Sequence, residues 1–572
     1  MFSISIHNRD YTSWEILPQD PLKQYQKPNE DPSLHKLFDG DSFNIQNDFV
    51  HIVDSPLRQT QNIPGILILK NNRSYGRTEN KKRLLYKCKP FNMKYPHFLI
   101  PYEIPTGFNK NFLNRFVTFK FEHWNGKHPR AILSQNIGDV DDLPSYYEYQ
   151  LYCRNLHTPI TPALKQCKLK YLQKTHDEWI EYVIDTPSRF GPITRDNTKN
   201  IIAIDPQDCT DRDDAISIQE LSNESYKITV YIANVWVWIE AFDMWSYIGD
   251  RISTIYLPDK KRTMLPTLIA EEYSSLDAGK YCFTIAMDFI VENGEISNYH
   301  SPSQTLMCVH KQFHYDDPKL LKNKTYQLLE SVSKMLDNNI HDSHDVVAYW
   351  MMTMNTSMAK ILRQRQTGIY RVVQSTNKTE SQQVKVPSKM VQFIRIWEQK
   401  MVGKYELFRN SINMSHEMLG VQEYVHFTSP IRRMVDLINH LCWICSEYTL
   451  SDTITNFAET FQFNMSNINL KMSDIKKVQN DCHILYQVSN EPLLLDKVYE
   501  AIVIANHEEN IYSVYIEELK WITKLYSIKH IHVYTIVSCK LYMFVKEEQL
   551  RKKIRIQLFE DHTESHVIDY VS

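Results

Sequence analysis

Five aspartates fall within ten residues between two short apolar segments, and few features restrict a fold as tightly. Residues 201–218 read IIAIDPQDCTDRDDAISI, so Asp205, Asp211, Asp213 and Asp214 are bracketed by IIAI and AISI. Short β-branched apolar runs flanked by turn residues predict buried strands. The following stretch, YKITVYIANVWVWI at 226–239, is expected to pair beside them. An acidic cluster on a surface loop needs no explanation, because water solvates it. Carboxylates held together between buried strands repel one another and lose hydration, so they keep their protons or gather a cation. Oxygen-only ligands select hard ions, which points to Mg2+ with Mn2+ as a substitute. A calcium loop is the competing metal site, but from Asp205 or Asp211 neither the alternating acids nor the central glycine falls into place. Carboxylate-held Mg2+ pairs, about 4 Å apart, are a recurrent device for phosphodiester cleavage.

A second segment, YVHFTSPIRRMVDLINH at 424–440, predicts a helix from Pro430 to Glu447, with Thr428 or Ser429 as its cap. Ile431, Met434, Val435, Ile438, Leu441 and Cys442 form one apolar stripe. Arg432 and Arg433 then fall in the first turn, where cations oppose the helix dipole. That placement suits phosphate binding. A surface ion pair of Arg432 or Arg433 with Asp436 accounts for the same pattern. A second amphipathic helix is expected over 345–366.

The 572 residues carry 65 Lys+Arg against 68 Asp+Glu, a formal charge of -3 that excludes a uniformly basic or an acidic disordered chain. The charge is unevenly placed. Residues 70–130 hold 14 Lys/Arg against three acids, among the short strand patterns GILILKN, LLYKCKP, HFLIPYEIP and RFVTFKFEHW. Basic strands interleaved with Tyr75, Tyr86, Phe91, Tyr95 and Phe98 fit either a solvated face or a small barrel that binds single-stranded nucleic acid. Residues 1–60 look like a degenerate version, with strands FSISI, TSWEIL and DSFNIQ. Residues 145–195 read as a helical connector. From Val498 the strand patterns VYEAIVIAN, IYSVYIEE, HIHVYTIV, KLYMFV and KIRIQLF suggest a further barrel. The longest apolar run, near 228–239, is broken by Asn234 and too short to span a bilayer. The N-terminus lacks a secretory pattern. Ten scattered cysteines fit thiols in a reducing compartment, and Cys442 and Cys445, the only C-x-x-C, fall in an apolar helical pattern that favours core packing over zinc or redox chemistry.

Together, I-D-P-x-x-C-T-D-x-D-D-A at 204–215 and Y-x-H-F-T-S-P-I-R-R-x-x-D-L at 424–437 resemble the RNB catalytic domain of the RNase II/RNase R superfamily of 3′–5′ exoribonucleases. The Cys209-Thr210 pair, R-S-Y-G at 73–76 and N-I-G-D at 136–139 are similar to the eukaryotic exosome-nuclease branch, without its N-terminal endonuclease domain. The resemblance implies an α+β multidomain protein, with a mixed α/β RNB core flanked by small β-barrels of the OB or cold-shock type. The implied order is a degenerate cold-shock domain at 1–60, a cold-shock domain at 61–144, the connector at 145–195, the RNB domain at 196–492 and an S1-like OB domain at 493–572. Carried over by motif, the metal-binding and catalytic aspartates are Asp205, Asp211, Asp213 and Asp214, with Asp208 a bystander. The catalytic arginine is Arg432. Tyr256, in R-I-S-T-I-Y-L-P, and Tyr315, in F-H-Y-D-D, resemble the base-stacking aromatics. RNA binding is further expected of Arg433, Arg73, Arg77 and Ser429.

The sequence departs from the family at 231–237, where Y-I-A-N-V-W-V replaces H-I-A-D-V-S-H, and at Tyr349, which stands where a glutamate is usual. These changes bear on how the terminal nucleotide is held. The expected activity is Mg2+-dependent hydrolysis of single-stranded RNA from its 3′ end to 5′-mononucleotides, by a monomer acting without membrane or exosome core, in the cytoplasm or in a nuclear or viral setting. A catalytically silent RNA-binding regulator and a general Mg2+ phosphodiesterase acting on DNA are the alternatives.

Overall fold

The computed structural model describes residues 1–18, 31–46, 49–79, 82–104, 112–222, 224–373, 403–409, 414–508, 510–546 and 551–559. The N-terminal unit is an open antiparallel sheet in the order Trp14–Pro18, Phe2–Ile6, Ser42–Gln46, Phe49–Asp54. The last of these strands is absent from the sequence-based expectation, because its FVHIVD pattern lies almost wholly on the surface.

The basic stretch closes into a five-stranded barrel from Ile63–Ile68, Leu84–Pro90, Phe98–Tyr102, Arg130–Asp139 and Arg115–His123. Closure comes from the parallel contact of Leu99 with Arg130. Phe38 of the preceding unit enters the barrel core and stacks on Trp124 at 4.9 Å between ring centroids. A second closed barrel is built from Val498–Glu508, Ile511–Ile516, Trp521–Tyr526, Arg551–Leu558 and Ile536–Lys546. The expected strand HIHVYTIV is instead mostly a turn that precedes Ile536–Lys546, and Trp521–Tyr526 is a strand that the pattern had missed. Both barrels have the OB-type plan of interior apolar residues alternating with exposed ones.

Between them the connector helices, Leu143–Cys153, Thr161–Tyr171 and His176–Ile184, pack against an eight-stranded mixed sheet and its helices. Along the sheet run Thr194–Arg195, Ser303–Cys308, Tyr281–Glu292, Ser225–Ala233, Asp214–Ser222, Ile202–Asp205 and Lys311–His314, and Glu295–Tyr299 pairs outside this path. Strand Ser225–Ala233 pairs with Asp214–Ser222 as expected, but the apolar run does not continue as strand. Asn234 donates its backbone N–H to Phe283 O and its amide to Gln304 Oε1, and Val235–Ala241 turns into a fully buried helix. Cys442 and Cys445 lie on helix Met434–Glu447, Cys442 buried and Cys445 half-buried, and all ten cysteines are free thiols. Among the described residues no helix is long and apolar enough to cross a membrane.

The helix expected from Pro430 starts four residues later, at Met434. The backbone explains the delay. Thr254 N donates to Arg432 O, Met434 N donates to Ile252 O, and Ser253 forms a β-bridge with Arg433. Arg433 is therefore extended at φ -134° and ψ 123°, and Arg432 sits in a turn closed on Ser429 O ahead of the helix.

Candidate active site

Antiparallel pairing of Ile202–Asp205 with Asp214–Ser222 puts the end of one strand beside the start of the next. Asp205 closes the first strand and Asp214 opens the second, while Asp211 and Asp213 lie in the connecting loop. Arg212 braces that loop through Cys209 O at 2.6 Å and Asp277 at 2.8 Å. Asp205, Asp211 and Asp213 are buried, whereas Asp208 points to solvent, in keeping with a bystander.

Burial raises Asp205 to about 6, with Arg212 opposing the rise and Asp211 adding to it. Burial also raises Asp213 to about 7 against the pull of Arg432. Asp214 is held well above the ordinary carboxylate range, first by burial and then by Asp205 and Asp213. Three neighbouring carboxyls thus resist ionisation, and each charge in the group disfavours the others. Asp205 Oδ2 is buried and has no hydrogen-bond partner among the described residues, the nearest cation being Arg212 Nε at 3.8 Å.

The loop before helix Met434–Glu447 forms the facing wall. Ile431 N donates to Asp213 Oδ1 at 2.9 Å and Arg432 Nε to Asp213 Oδ2 at 3.1 Å, which brings the two sequence segments together. Arg432 Nη2 donates to Ser429 Oγ at 2.9 Å. Ser429 N in turn donates to Asp436, whose fully buried carboxylate also takes Arg433 Nη2 at 2.9 Å. The two arginines therefore diverge: Arg432 joins the carboxylates, and Arg433 forms the pair with Asp436, buried rather than on the surface. Asn355 braces the same loop, donating to Tyr424 Oη at 2.9 Å and accepting from Phe427 N at 2.8 Å.

Tyr256 is 45% exposed, which leaves a ring face for a base. Burial of its hydroxyl, reinforced by Asp211, pushes it up to about 12. Tyr256 pairs with Lys261 across a two-stranded ribbon, and Lys261 binds Asp211 Oδ1 at 2.8 Å and Glu271 Oε1 at 2.7 Å. Tyr315 lies in the field of Asp214 and Asp205 and stacks on His344 at 3.7 Å. Arg73 and Arg77 belong to the first barrel, where Arg73 lies over the Tyr75 ring at 5.5 Å. Tyr231 turns its hydroxyl to Asp196 Oδ2 at 2.9 Å, and Tyr349 packs edge-on against Trp350. Sequence reasoning missed Lys261, Glu271, Arg212 and His344. Only the K-K-R that follows Y-L-P-D hinted at a cation near Tyr256.

Among the described residues no three His, Cys, Asp or Glu groups stand in ready metal-binding geometry. The donor chemistry nonetheless fits a hard divalent ion: all-oxygen donors, suppressed ionisation, and an unpartnered buried oxygen on Asp205. Asp205 and Asp214 are the pair that lacks a close fixed cation, since Asp211 and Asp213 already face Lys261 and Arg432.

The RNB domain family model matches residues 195–336 and 319–443, a span that contains both walls of this site. The matched span, residues 195–443, is an RNB domain. The mouse exosome complex exonuclease RRP44 is 22% identical, with 68% of this chain and 48% of that protein covered. The chain spans half or less of the length of the first curated relatives it matches. Among solved structures, Mycoplasma genitalium RNase R in complex with ribose-methylated single-stranded RNA matches with a TM-score of 0.67 and 15% identity, over 98% of this chain and 100% of that one. Yeast Ssd1, described as a pseudonuclease, matches with a TM-score of 0.56 and 15% identity, over 84% of this chain and 66% of that one. At these identities the structural likeness establishes the fold of the RNB protein and no more.

Proposed function

We propose that this RNB protein is a Mg2+-dependent 3′–5′ exoribonuclease that takes single-stranded RNA and releases 5′-mononucleotides. The observation that carries this reading is the junction of Asp213 with Ile431 N and Arg432, which sets a phosphate-binding guanidinium against a carboxylate quartet. A divalent ion held by Asp205 and Asp214 would supply activation of water and neutralisation of the leaving oxygen.

The chain's own groups do the remaining work. Asp213 and Ser429 fix Arg432 through Nε and Nη2, and Nη1 has no protein partner among the described residues. That donor is free to bind a phosphate oxygen as negative charge builds on it. Tyr256, beside Asp211, and Tyr315, beside Asp214 and Asp205, supply aromatic rings for stacking, which tolerates any base. The basic barrel at 63–139 supplies a positive surface for the RNA backbone. Selection of RNA over DNA would arise from contacts to the 2′-OH.

The test is Asp214→Asn on a 3′-labelled RNA oligonucleotide. Degradation is expected to stop while RNA binding persists in a gel assay, and cleavage that survives the substitution removes the site assignment. The regulator reading keeps one observation in its favour: fixed cations already hold two of the four carboxylates, Asp211 and Asp213. Wild-type protein that binds the oligonucleotide but never shortens it in Mg2+ would select that reading. Equal cleavage of the deoxy oligonucleotide would select a general phosphodiesterase.

A further inference from the structure

Lys261 is placed unusually for a lysine beside a phosphodiesterase centre. Its side chain is 27% exposed, yet Nζ contacts three acceptors of the protein itself: Asp211 Oδ1 at 2.8 Å, Glu271 Oε1 at 2.7 Å and Thr210 Oγ1. An ammonium has three donors, so none remains for an RNA phosphate. A phosphate clamp is therefore a poor account of this residue. The acceptors are themselves tied together, since Thr210 Oγ1 donates to Glu271 Oε1 at 2.9 Å. Glu271 comes from a π-helical turn, Leu268–Tyr273, a local geometry frequent at functional sites. On the ribbon, Lys261 stands directly opposite Tyr256. The same short element thus delivers a ring face and a point charge to the carboxylates.

The charge pattern across the quartet is asymmetric. Asp211 has Lys261, Asp213 has Arg432, and Asp205 has Arg212 only at 3.8 Å. Asp214 has no ion pair among the described residues, and Asp205 Oδ2 has no hydrogen bond. A compact ammonium seated on Asp211 Oδ1 does electrostatically what a metal ion does there, and by neutralising the carboxylate it weakens the pull of the remaining oxygen on a second divalent ion.

We propose that Lys261 is a built-in counter-ion of Asp211 that takes the place of a second divalent ion, so that the loaded site holds one ion, between Asp205 and Asp214. Lys261 is thus a positioning residue, acting through Asp211 and the ribbon of Tyr256. This proposal rests on the nuclease reading of the same site.

The test counts Mn2+ ions bound by the full chain without RNA, by calorimetry and by the electron paramagnetic resonance signal of free Mn2+. Wild type and Lys261→Arg, which keeps the charge, are expected to bind one ion tightly. Lys261→Gln is expected to bind two, with its fold checked by thermal melting. Two ions in the wild type overturn the proposal whether or not the variant folds, and so does a folded Lys261→Gln that still binds one. Neither result harms the nuclease reading. A wild type that binds no Mn2+ overturns both.

Discussion

Replacing Asp205 by asparagine should stabilise the ion-free protein at alkaline pH, the reverse of what loss of a buried polar group usually does. Asp205 is 8% exposed, and burial raises it from the ordinary 3.8 to about 6. At about 1.4 kcal/mol per tenfold change in the proton equilibrium, that difference amounts to about 3 kcal/mol. The sign follows from proton counting. Below pH 4 both folded and unfolded chains carry a neutral Asp205, and no penalty arises. Between about pH 4 and pH 6 the unfolded chain releases its proton while the folded one retains it, so stability falls as pH rises. Above pH 7 the full cost of a buried carboxylate is present. Asparagine has no charge to bury, so Asp205→Asn should match wild type near pH 4 and exceed it by up to about 3 kcal/mol at pH 8 in EDTA. For a cooperative unit of about 300 residues that is a rise of about 5 °C in Tm. The assay is thermal melting from pH 4 to pH 8.5 in EDTA, repeated with Mg2+. Saturating Mg2+ should raise the wild-type Tm by linkage and close most of the gap, because the ion binds the folded state alone. A variant less stable than wild type at pH 8 in EDTA, or a difference independent of pH, would refute the claim that Asp205 carries a buried, uncompensated charge.

Arg432→Ala removes the side chain that pairs with Asp213, and the rate of RNA degradation should fall by about 10²–10³ while RNA affinity in EDTA changes far less. Arg432→Lys should recover part of the rate in the same single-turnover assay. Tyr256→Ala should weaken RNA binding by about 1–3 kcal/mol in fluorescence anisotropy, and Tyr256→Phe should leave it nearly unchanged if stacking is the contact. Asp436→Ala leaves Ser429 N unpaired and Arg433 without its carboxylate, and should cost about 3–5 kcal/mol in denaturant melts.

Most of the strands legible in the sequence are bounded by polar turns and have one face buried and the other wet. LLYKCKP is the strand Leu84–Pro90, residue for residue, with burial alternating along it. FVHIVD gave no such signal because both of its faces are exposed, and VWVWI gave a false strand signal because its helix is buried on every side. Periodicity reports a boundary between core and solvent, and neither element has one. The helix at Met434 shows a different limit. Proline and a hydroxyl cap predicted its start at Pro430, but backbone bonds to 252–254 hold Arg433 extended and delay the helix to Met434. No local rule contains a partner nearly 180 residues away in the chain.

For the site, spacing marked the aspartates of 205–214 as a group, because carboxylates between apolar strands have few tolerable fates, and the RNB motif set Asp205, Asp211, Asp213 and Asp214 apart from Asp208. The sequence also marked Arg432, through the motif it shares with the RNB superfamily, and determined the order of barrels around a mixed core. Only the tertiary structure decided which charge neutralises which. It separated Arg432, which serves Asp213, from its neighbour Arg433, which serves Asp436. It also brought Lys261 and Glu271 to Asp211, where the sequence held only the K-K-R after Y-L-P-D as a hint of the lysine and none of the glutamate. The physical reason is range: strand and turn preferences act over a few residues, whereas electrostatic pairing is settled by whatever the packed core brings within a few ångströms.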